Sequence, residues 1–479
     1  MRVLLSQPLG LLTLAIALAL VVPALMMDGM FFDATCYTSV GLNLANGMGT
    51  PWQLFYSVDH INSHPGFYEN PPLGYWIFAM FFKLFGNSIF VERFYLLLVY
   101  IISMVLISRI WNMVQPKYRS VAWLPILLWS VMPLTFWAYT NNIMENTMAL
   151  FVFVAIILGW KSAVSSSKSY LWAALSGFSL FLACMVKGVP GMYPLVTVAI
   201  YWLVYRDISF KKMLGLSLVM FAVGFGSILM LFVFPESNQM MEHYFFGRTM
   251  ERINNSPVVA NRLEIVRELF QQTLIPMVMV ASVTIINKTK SGQWLSFDRK
   301  AFWFFLLIGL AGILPLILTS VQRGFYIVPA IPLVVVALAV LVADVVQNWL
   351  GNMSPKAGKV IYVLSFLILI AVVVASIALA GMPKRDGKII VDVQKVSEVV
   401  GQHTTMVAPR SLSQHSSTKS YFMRNEFIQL DSRPISEGNE PMKWGLVEKG
   451  VEFPLDGYEK YPLELNKFDL YRMTESDEQ

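Results

Sequence analysis

The sequence has 479 residues, 56% of them hydrophobic and 14% charged, with a mean hydropathy of +0.58. Because a soluble domain carries about 25% charged residues, this composition excludes an ordinary soluble enzyme, a disordered chain and a disulfide-rich scaffold, and it indicates a polytopic membrane protein. The net charge of +6 divides into +9 for residues 1–383 (23 basic, 14 acidic) and −3 for residues 384–479 (13 basic, 16 acidic), so it does not predict a nucleic-acid partner. The two cysteines, Cys36 and Cys184, lie far apart and predict neither a disulfide nor a metal site.

Apolar stretches long enough to cross a bilayer begin close to the N-terminus. A spanning helix needs about 20 apolar residues, and eleven stretches qualify, near 9–27, 90–112, 120–138, 143–160, 170–186, 189–205, 213–235, 269–287, 301–319, 325–347 and 360–382. We therefore predict an all-α transmembrane domain over 1–383 with about 11–13 transmembrane helices. The charged tail, 384–479, predicts a small extracytoplasmic α/β domain that caps the site or positions an acceptor.

The basic residues of the loops orient these helices. With the N-terminus in the cytoplasm, fifteen of the basic residues before position 384 fall on the cytoplasmic side and eight on the far side, as the positive-inside rule requires. We therefore expect a multi-pass protein of the cell inner membrane whose catalytic side and C-terminal domain are periplasmic. Two outer loops, 28–89 and 236–268, are too long to be simple connections and are expected to be functional.

The first outer loop contains several acidic side chains. Residues 3–82 contain no lysine or arginine. Residues 33–47 predict a short helix in which Asp33 and Tyr37, four positions apart, share a face. A carboxylate at the water–lipid boundary can act as a general base on an acceptor hydroxyl or amine, so Asp33 is a candidate catalytic residue and Asp28 a weaker one. The alternative for Asp33 is a solvated loop acid or a helix N-cap.

A pair of prolines later in this loop predicts the start of another helix, since proline suits the first helical turn. This helix, 73–85, has only 13 residues and carries Tyr75 near its start, so we expect it to lie at the outer membrane surface; the alternative is a short span. Glu69, just before it, could hold a divalent metal with His60 or His64. The alternative is that both histidines are ordinary loop residues, because their spacing fits no known zinc motif.

An ordered series of motifs resembles one known family. The series comprises Asp33 with Tyr37, Glu69–Trp76, Phe85-Gly86, Arg93, Lys187-Gly188-Val189-Pro190-Gly191, His243-Tyr244-Phe245-Phe246 with Arg252, and Arg323-Gly324-Phe325-Tyr326 with Pro329 and Pro332. It resembles the GT-C glycosyltransferases of family 39, which include bacterial aminoarabinose-to-lipid A transferases and protein O-mannosyltransferases. Two positions depart from the pattern: Ala34 stands where many members have a second acid, and Asn70 stands where many have a lysine.

The resemblance implies that a sugar moves from a polyprenyl-phosphate donor to an acceptor at the outer face. A phosphate leaving group needs cations near that face, and the sequence offers Lys187, Arg248, Arg252 and Arg323. The alternative is that these side chains are interface anchors. The resemblance also implies substrate-binding roles for Tyr37, Glu69, Tyr75 and Tyr326.

Glu145, at the outer end of a predicted span, is a second candidate catalytic residue, because a buried carboxylate at bilayer depth is costly and usually functional. The family pattern places an acid near this position, which would line the site opposite Asp33. The alternative is a glutamate that only bonds neighbouring helices. Asp344, near the cytoplasmic end of its span, is interpreted as structural.

The sequence therefore predicts a polyprenyl-phosphate-dependent glycosyltransferase, with lipid A as the favoured acceptor of aminoarabinose and protein O-glycosylation or decoration of another glycan as alternatives. Its expected partners are the lipid-linked donor, a lipid or protein acceptor and membrane lipids. No cofactor is predicted beyond the divalent metal considered above. A hypothesis of another class is a transporter or flippase of lipid-linked sugars. That hypothesis predicts charged residues and paired broken helices near mid-bilayer, whereas most of the candidate residues lie at outer ends and in outer loops.

Overall fold

The computed structural model describes residues 7–61, 66–248, 262–319, 321–438 and 442–474; the side chains of His60, Ile61 and Arg248 are outside the description. In chain order the helices are α1 (Pro8–Met26), α2 (Phe32–Ala45), α3 (Leu73–Phe85), α4 (Ile89–Val114), α5 (Trp123–Ser130), α6 (Pro133–Tyr139), α7 (Met144–Val164), α8 (Ser169–Lys187), α9 (Thr197–Tyr205), α10 (Phe210–Met230), α11 (Pro235–Glu242), α12 (Glu264–Ser291), α13 (Arg299–Ile313), α14 (Ile331–Gly351), α15 (Pro355–Leu379), α16 (Gly387–Val400) and α17 (Ser416–Glu426). Single turns at Val58–Ile61, Arg410–Ser413 and Arg433–Ser436, and short 3₁₀ or π segments, connect them.

Nine helices of the described chain are long and apolar enough to cross a membrane: α1, α4, α7, α8, α10, α12, α13 with the 3₁₀ turn after it, α14 and α15. They correspond to nine of the predicted spans, which confirms an all-α multi-pass membrane protein. The other two predicted spans are divided. Prolines cause both breaks, because proline lacks the N–H that would continue a helix. Pro133 begins α6 after the first break. Pro190 and Pro194 lie in a 3₁₀ segment before α9.

The two outer-loop helices form where the sequence predicts them. Helix α2 has Asp33 in its first turn, where a carboxylate is favourable beside the helix N-terminus. The N-cap residue is Phe31, so the N-cap interpretation of Asp33 is wrong. Helix α3 follows the paired prolines and ends at Phe85. The next residue, Gly86, caps it with a φ of 85°, which few other residues adopt. Helices α2 and α3 pack against each other.

The first and last membrane helices are joined. Helix α1 packs along α15. Just beyond their C-terminal ends, Asp28 forms a parallel bridge with Pro383, and the Asp28 N–H donates to the Met382 carbonyl at 2.9 Å. Gly29 has a φ of 93°, and a Cβ there would lie 2.3 Å from the Arg385 carbonyl oxygen. The chain therefore enters the C-terminal region from a fixed position beside α2.

Residues 387–474, the C-terminal unit, contain a five-stranded mixed sheet. The strands are β1 (Thr405–Val407), β2 (Gln429–Asp431), β3 (Trp444–Glu448), β4 (Tyr458–Lys460) and β5 (Phe468–Met473), in the order β2-β1-β3-β5-β4. Strand β1 is parallel to β2 and β3, and β5 is antiparallel to β3 and β4. Helices α16 and α17 supply Ile390, Val393 and Phe422 to the unit's own hydrophobic core. The predicted small α/β fold is confirmed.

The C-terminal unit docks on the outer-loop helices through α17, which packs against α2. Arg424 of α17 donates to Glu92 of α4 at 2.6 Å, and both side chains are only 2% exposed. Arg93 lies 3.7 Å from Asp28 and 3.9 Å from Glu92, which completes a buried network of two acids and two arginines. Asp28 therefore helps to hold the chain in place between α1 and the C-terminal unit.

Candidate active site

A buried ion pair joins the N-terminal end of membrane helix α7 to the C-terminal end of membrane helix α8. Glu145 is in the first turn of α7, and Lys187 is the last residue of α8. The Lys187 Nζ atom is 3.3 Å from Oε1 of Glu145, and the two side chains are 11% and 2% exposed. Neither carboxyl oxygen of Glu145 has a hydrogen-bond partner among the described residues. The Glu145 carboxylate is therefore stabilised by the Lys187 ammonium group, and its oxygens can accept further hydrogen bonds.

Tyr37 connects this ion pair to α2. Its ring centroid is 5.3 Å from the Lys187 Nζ atom, within cation–π distance. Burial raises the pKa of the Tyr37 phenol, and the charges of Asp33, Tyr75 and Glu145 raise that pKa further, against a hydrogen bond with Asn70 that lowers it. Tyr37 is therefore a protonated hydroxyl at neutral pH, and the charges of both predicted catalytic acids act on it.

Asn70, one of the two departures from the family pattern, contributes to packing. It is 1% exposed, and its amide donates to the Tyr75 hydroxyl at 3.1 Å. The Tyr75 ring is fully buried and meets the Tyr37 ring edge-on at 6.0 Å between centroids. Ala34, the other departure, is fully buried in α2. Asn70 and Tyr75 therefore fix the position of the Tyr37 ring.

The His243-Tyr244 motif lies beside Lys187. The Tyr244 hydroxyl donates to the Lys187 backbone carbonyl at 3.1 Å. The ring of His243 stacks on Tyr68 of the first outer loop at 4.6 Å. Gly188 has a φ of 79°, and a Cβ there would lie 2.0 Å from the Tyr244 hydroxyl oxygen, so only glycine fits this turn. Motifs far apart in sequence therefore meet at the end of α8.

The structure places the other predicted residues as follows. Asp33, Glu69 and Tyr326 are partly buried, and Tyr326 packs edge-on against Phe325. The Arg323 side chain is exposed and forms no ion pair with a described acid. The predicted roles of these four residues stay predictions.

Four predicted ligands cannot be placed. Arg252 and His64 lie outside the described residues, as do the side chains of Arg248 and His60. Across the ranges that the structure covers, no three His, Cys, Asp or Glu side chains converge as a metal site would require. The hypothesis of a metal at Glu69 with His60 or His64 therefore stays a prediction, because it depends on side chains beyond those ranges.

The sequence analysis missed a set of C-terminal side chains beside α2. The Tyr56 hydroxyl is 2.7 Å from Ser420 Oγ, a contact between residues 364 positions apart. Lys419 Nζ lies 4.9 Å from the Tyr56 ring centroid. Asp59 accepts from Ser413 at 3.2 Å and from Ser432 at 2.7 Å. No sequence signal could have revealed these contacts, because serine and lysine in a charged tail are typical of solvent-exposed surfaces.

Comparison with known proteins gives a match to a family model over part of the chain and a likeness of fold. Residues 69–233 match the family model of dolichyl-phosphate-mannose-protein mannosyltransferases. No protein of curated function matches the sequence. The structure is similar to a crystal structure of ArnT from Cupriavidus metallidurans bound to undecaprenyl phosphate, with a TM-score of 0.67 and 12% sequence identity, covering 96% of this chain and 97% of that chain.

The chain is a membrane protein with the GT-C glycosyltransferase fold. This confirms the resemblance seen in the sequence. The apo structure of the same ArnT gives a TM-score of 0.66 at 12% identity, with 96% and 97% coverage. The archaeal oligosaccharyltransferase AglB from Archaeoglobus fulgidus, in complex with an inhibitory peptide and a dolichol-phosphate, gives 0.49 at 12% identity, covering 92% of this chain and 69% of that chain.

Proposed function

We propose that this GT-C protein transfers a sugar from a polyprenyl-phosphate donor to an acceptor of the cell envelope. The observation that carries the proposal is the buried Glu145–Lys187 pair against the Tyr37 ring, one helical turn from Asp33. Acid, hydroxyl and cation lie together at the outer ends of apolar helices. A lipid-linked phosphate would reach this position from the bilayer.

Asp33 is the proposed general base. It would accept the proton of the acceptor hydroxyl or amine while that oxygen or nitrogen attacks the anomeric carbon and the bond to phosphate breaks. A single attack of this kind inverts the anomeric configuration. A positioned base of this type contributes about 10²–10⁴-fold to the rate. The Tyr37 hydroxyl, which stays protonated, is available to orient the sugar.

Lys187 is the proposed cation for the leaving phosphate. Its ammonium has three donors, and a single carboxylate, Glu145, is its ion-pair partner among the described residues. A phosphate that approaches Lys187 would share it with Glu145. Charge that develops on the leaving group would then meet a cation already in position, which is the arrangement that stabilises such a transition state. Arg252, Arg323 and Arg248 are proposed to add to this cation set.

Lipid A, with aminoarabinose as the sugar, is the favoured acceptor. The order of the sequence motifs supports this acceptor, and the similar ArnT structure that holds undecaprenyl phosphate supports a polyprenyl-phosphate donor. A protein acceptor is the second candidate, because the matched family model describes protein mannosyltransferases. We further propose that the protein lies in the inner membrane, with the domain over 1–383 in the bilayer and the domain over 384–479 in the periplasm. This orientation is supported by the larger number of basic residues in the loops on the other side of the membrane, which would be cytoplasmic.

The test is transfer by the purified full chain in lipid nanodiscs with a polyprenyl-phosphate sugar. Wild type is compared with Asp33→Asn and with Asp344→Asn. The second variant is the matched control, because Asp344 accepts from the Tyr118 hydroxyl at 3.3 Å at the other end of the bundle. Asp33→Asn should reduce kcat by about 10²-fold or more, with Asp344→Asn unchanged. Equal rates for wild type and Asp33→Asn would remove Asp33 as the base, and no transfer to lipid or protein would reject the function.

A further inference from the structure

Five basic side chains lie at the end of the bundle opposite the candidate active site. Helix α7 carries Glu145 in its first turn, at the candidate site, and a lysine in its last turn. The ends of α7 and α9 and the starts of α8 and α10 together supply the basic rim, which consists of Lys161, Lys168, Arg206, Lys211 and Lys212. Asp207 is the one acid between positions 161 and 212, and it accepts from the Tyr201 hydroxyl at 2.7 Å. No member of the rim forms an ion pair with an acid of the described chain, so the rim carries unpaired positive charge.

Lys212 fixes the rim by joining three helices. Its Nζ atom donates to the carbonyls of Ala163 and Ser165, both at 3.1 Å. The Ser165 carbonyl also accepts from the Ser169 hydroxyl at 2.6 Å, and the Ser165 hydroxyl accepts from the backbone N–H of Lys168 at 3.2 Å. The end of α7 and the starts of α8 and α10 therefore meet at Ser165. An ammonium group has three donors, so one N–H of Lys212 is left for a ligand.

Aromatic rings place the rim at the boundary between water and lipid. The Lys161 Nζ atom is 4.9 Å from the Trp172 ring centroid, and the Arg206 guanidinium is 4.2 Å from that of Trp202, both within cation–π distance. The Trp202 ring meets Phe210 edge-on at 5.5 Å. Tryptophan is enriched at the level of the lipid head groups, so the cations above these rings lie where a phosphate of the bilayer lies.

Two strips of exposed apolar side chains begin just below the rim. Residues four and three positions apart share one face of a helix. The strips follow this spacing on two helices, with Leu171, Leu175 and Phe178 on α8 and Leu214, Leu218 and Phe221 on α10. Both helices start at the rim and run in the same direction. They also pack closely, because a Cβ on Gly177 would lie 2.5 Å from the Met220 carbonyl oxygen. The surface below the rim therefore suits hydrocarbon chains.

We propose that the basic rim binds an anionic phospholipid, with its phosphate at Lys168, Lys211 and Lys212 and its acyl chains along the two strips. Basic side chains at this level attract anionic head groups. A zwitterionic head group carries its own cation, which the rim would repel, so the rim should select lipids with net negative charge. The bound lipid would hold together α7 and α8, whose other ends carry Glu145 and Lys187. This inference goes beyond the proposed function and does not depend on it.

The test counts lipids bound to the purified full chain by native mass spectrometry, with phosphatidylglycerol or phosphatidylcholine of the same acyl chains. Wild type should bind phosphatidylglycerol about tenfold more tightly or better. The double variant Lys168→Met, Lys211→Met should lose this preference, and Lys168→Arg, Lys211→Arg should keep it. The matched control is Lys356→Met, Lys359→Met, which removes the same charge from exposed positions at the start of α15 and should also keep the preference.

A second measurement uses the wild-type protein alone and therefore does not depend on how the variants fold. Acylation of Lys168 and Lys211 by an uncharged amine-reactive reagent is mapped in phosphatidylcholine nanodiscs, with and without phosphatidylglycerol, and Lys356 is the internal reference. Protection of the two rim lysines beyond that of Lys356 supports the proposal.

Four outcomes would overturn it. They are equal affinity of wild type for the two lipids, an unchanged preference in the Lys168→Met, Lys211→Met variant, an equal loss in the α15 control, and equal protection by inorganic phosphate without the anionic lipid. Sugar transfer enters neither measurement, so failure of the proposed function would leave the lipid site standing.

Discussion

Replacing Lys187 with methionine should leave the Glu145 carboxylate buried without its cation. At 3.3 Å and an effective dielectric constant of about 20, the direct attraction is roughly 5 kcal/mol. Part of it offsets the desolvation of both charges, and removal of one member of a buried pair generally costs about 3–5 kcal/mol. Since neither Glu145 oxygen has a hydrogen bond to the described chain, no other group compensates. We therefore expect Lys187→Met to lower the unfolding midpoint by several degrees.

Two further variants separate stability from catalysis. Glu145→Gln removes the charge that Lys187 neutralises, and the double variant Lys187→Met, Glu145→Gln leaves no unpaired charge. The double variant should recover most of the stability, with a coupling energy of roughly 2–3 kcal/mol, and it should stay inactive because the leaving phosphate has lost its cation.

The assay records the unfolding midpoint by tryptophan fluorescence in nanodiscs and measures transfer from a polyprenyl-phosphate sugar in the same samples. A Lys187→Met variant as stable as wild type would refute the interpretation of a buried ion pair. A stable double variant with wild-type transfer would refute the role of Lys187 at the donor phosphate.

Three other substitutions test the C-terminal unit and its attachment. Arg424→Met leaves Glu92 with one cation fewer, so it should destabilise the docked state by roughly 3 kcal/mol and increase protease cleavage between the unit and the bundle. Gly29→Ala places a Cβ against the Arg385 carbonyl, which should lower the yield of folded protein in gel filtration. Burial raises the pKa of Asp469, but the Gly450 N–H and the Lys460 ammonium lower it more, to below 3.8. The stabilisation of the fold by this carboxylate is complete above pH 3.8 and is lost as the pH falls through the pKa of Asp469 in the folded protein. Asp469→Asn should therefore flatten the acid side of the plot of unfolding free energy against pH.

The sequence is informative where a local rule determines structure. Hydropathy located the nine long helices, and the paired prolines located α3 because their effect is confined to the next helical turn. Hydropathy could not distinguish a continuous span from one divided by Pro133 or Pro190, since it records polarity and not backbone hydrogen bonding.

The candidate site was only partly accessible to prediction. Asp33, Glu145 and Lys187 could be named because charges beside apolar runs are rare and costly. The ion pair between Glu145 and Lys187 could not be predicted, because it depends on how α7 and α8 pack. The contact between Lys419 and Tyr56 could not be predicted either. It joins a loop after the first span to a helix of the C-terminal unit, and neither segment carries a sequence motif that indicates the contact.

The packing of α1 along α15 has a consequence for how the chain is made. Helix α1 leaves the ribosome long before α15 and can pack on its full length only after residue 379 has been synthesised. Closing so large a loop is slow and entropically costly. We therefore expect α1 to contact lipid while the intervening helices insert. A chain that ended before α15 would leave the face of α1 that packs on α15 exposed to the membrane and its quality-control proteases.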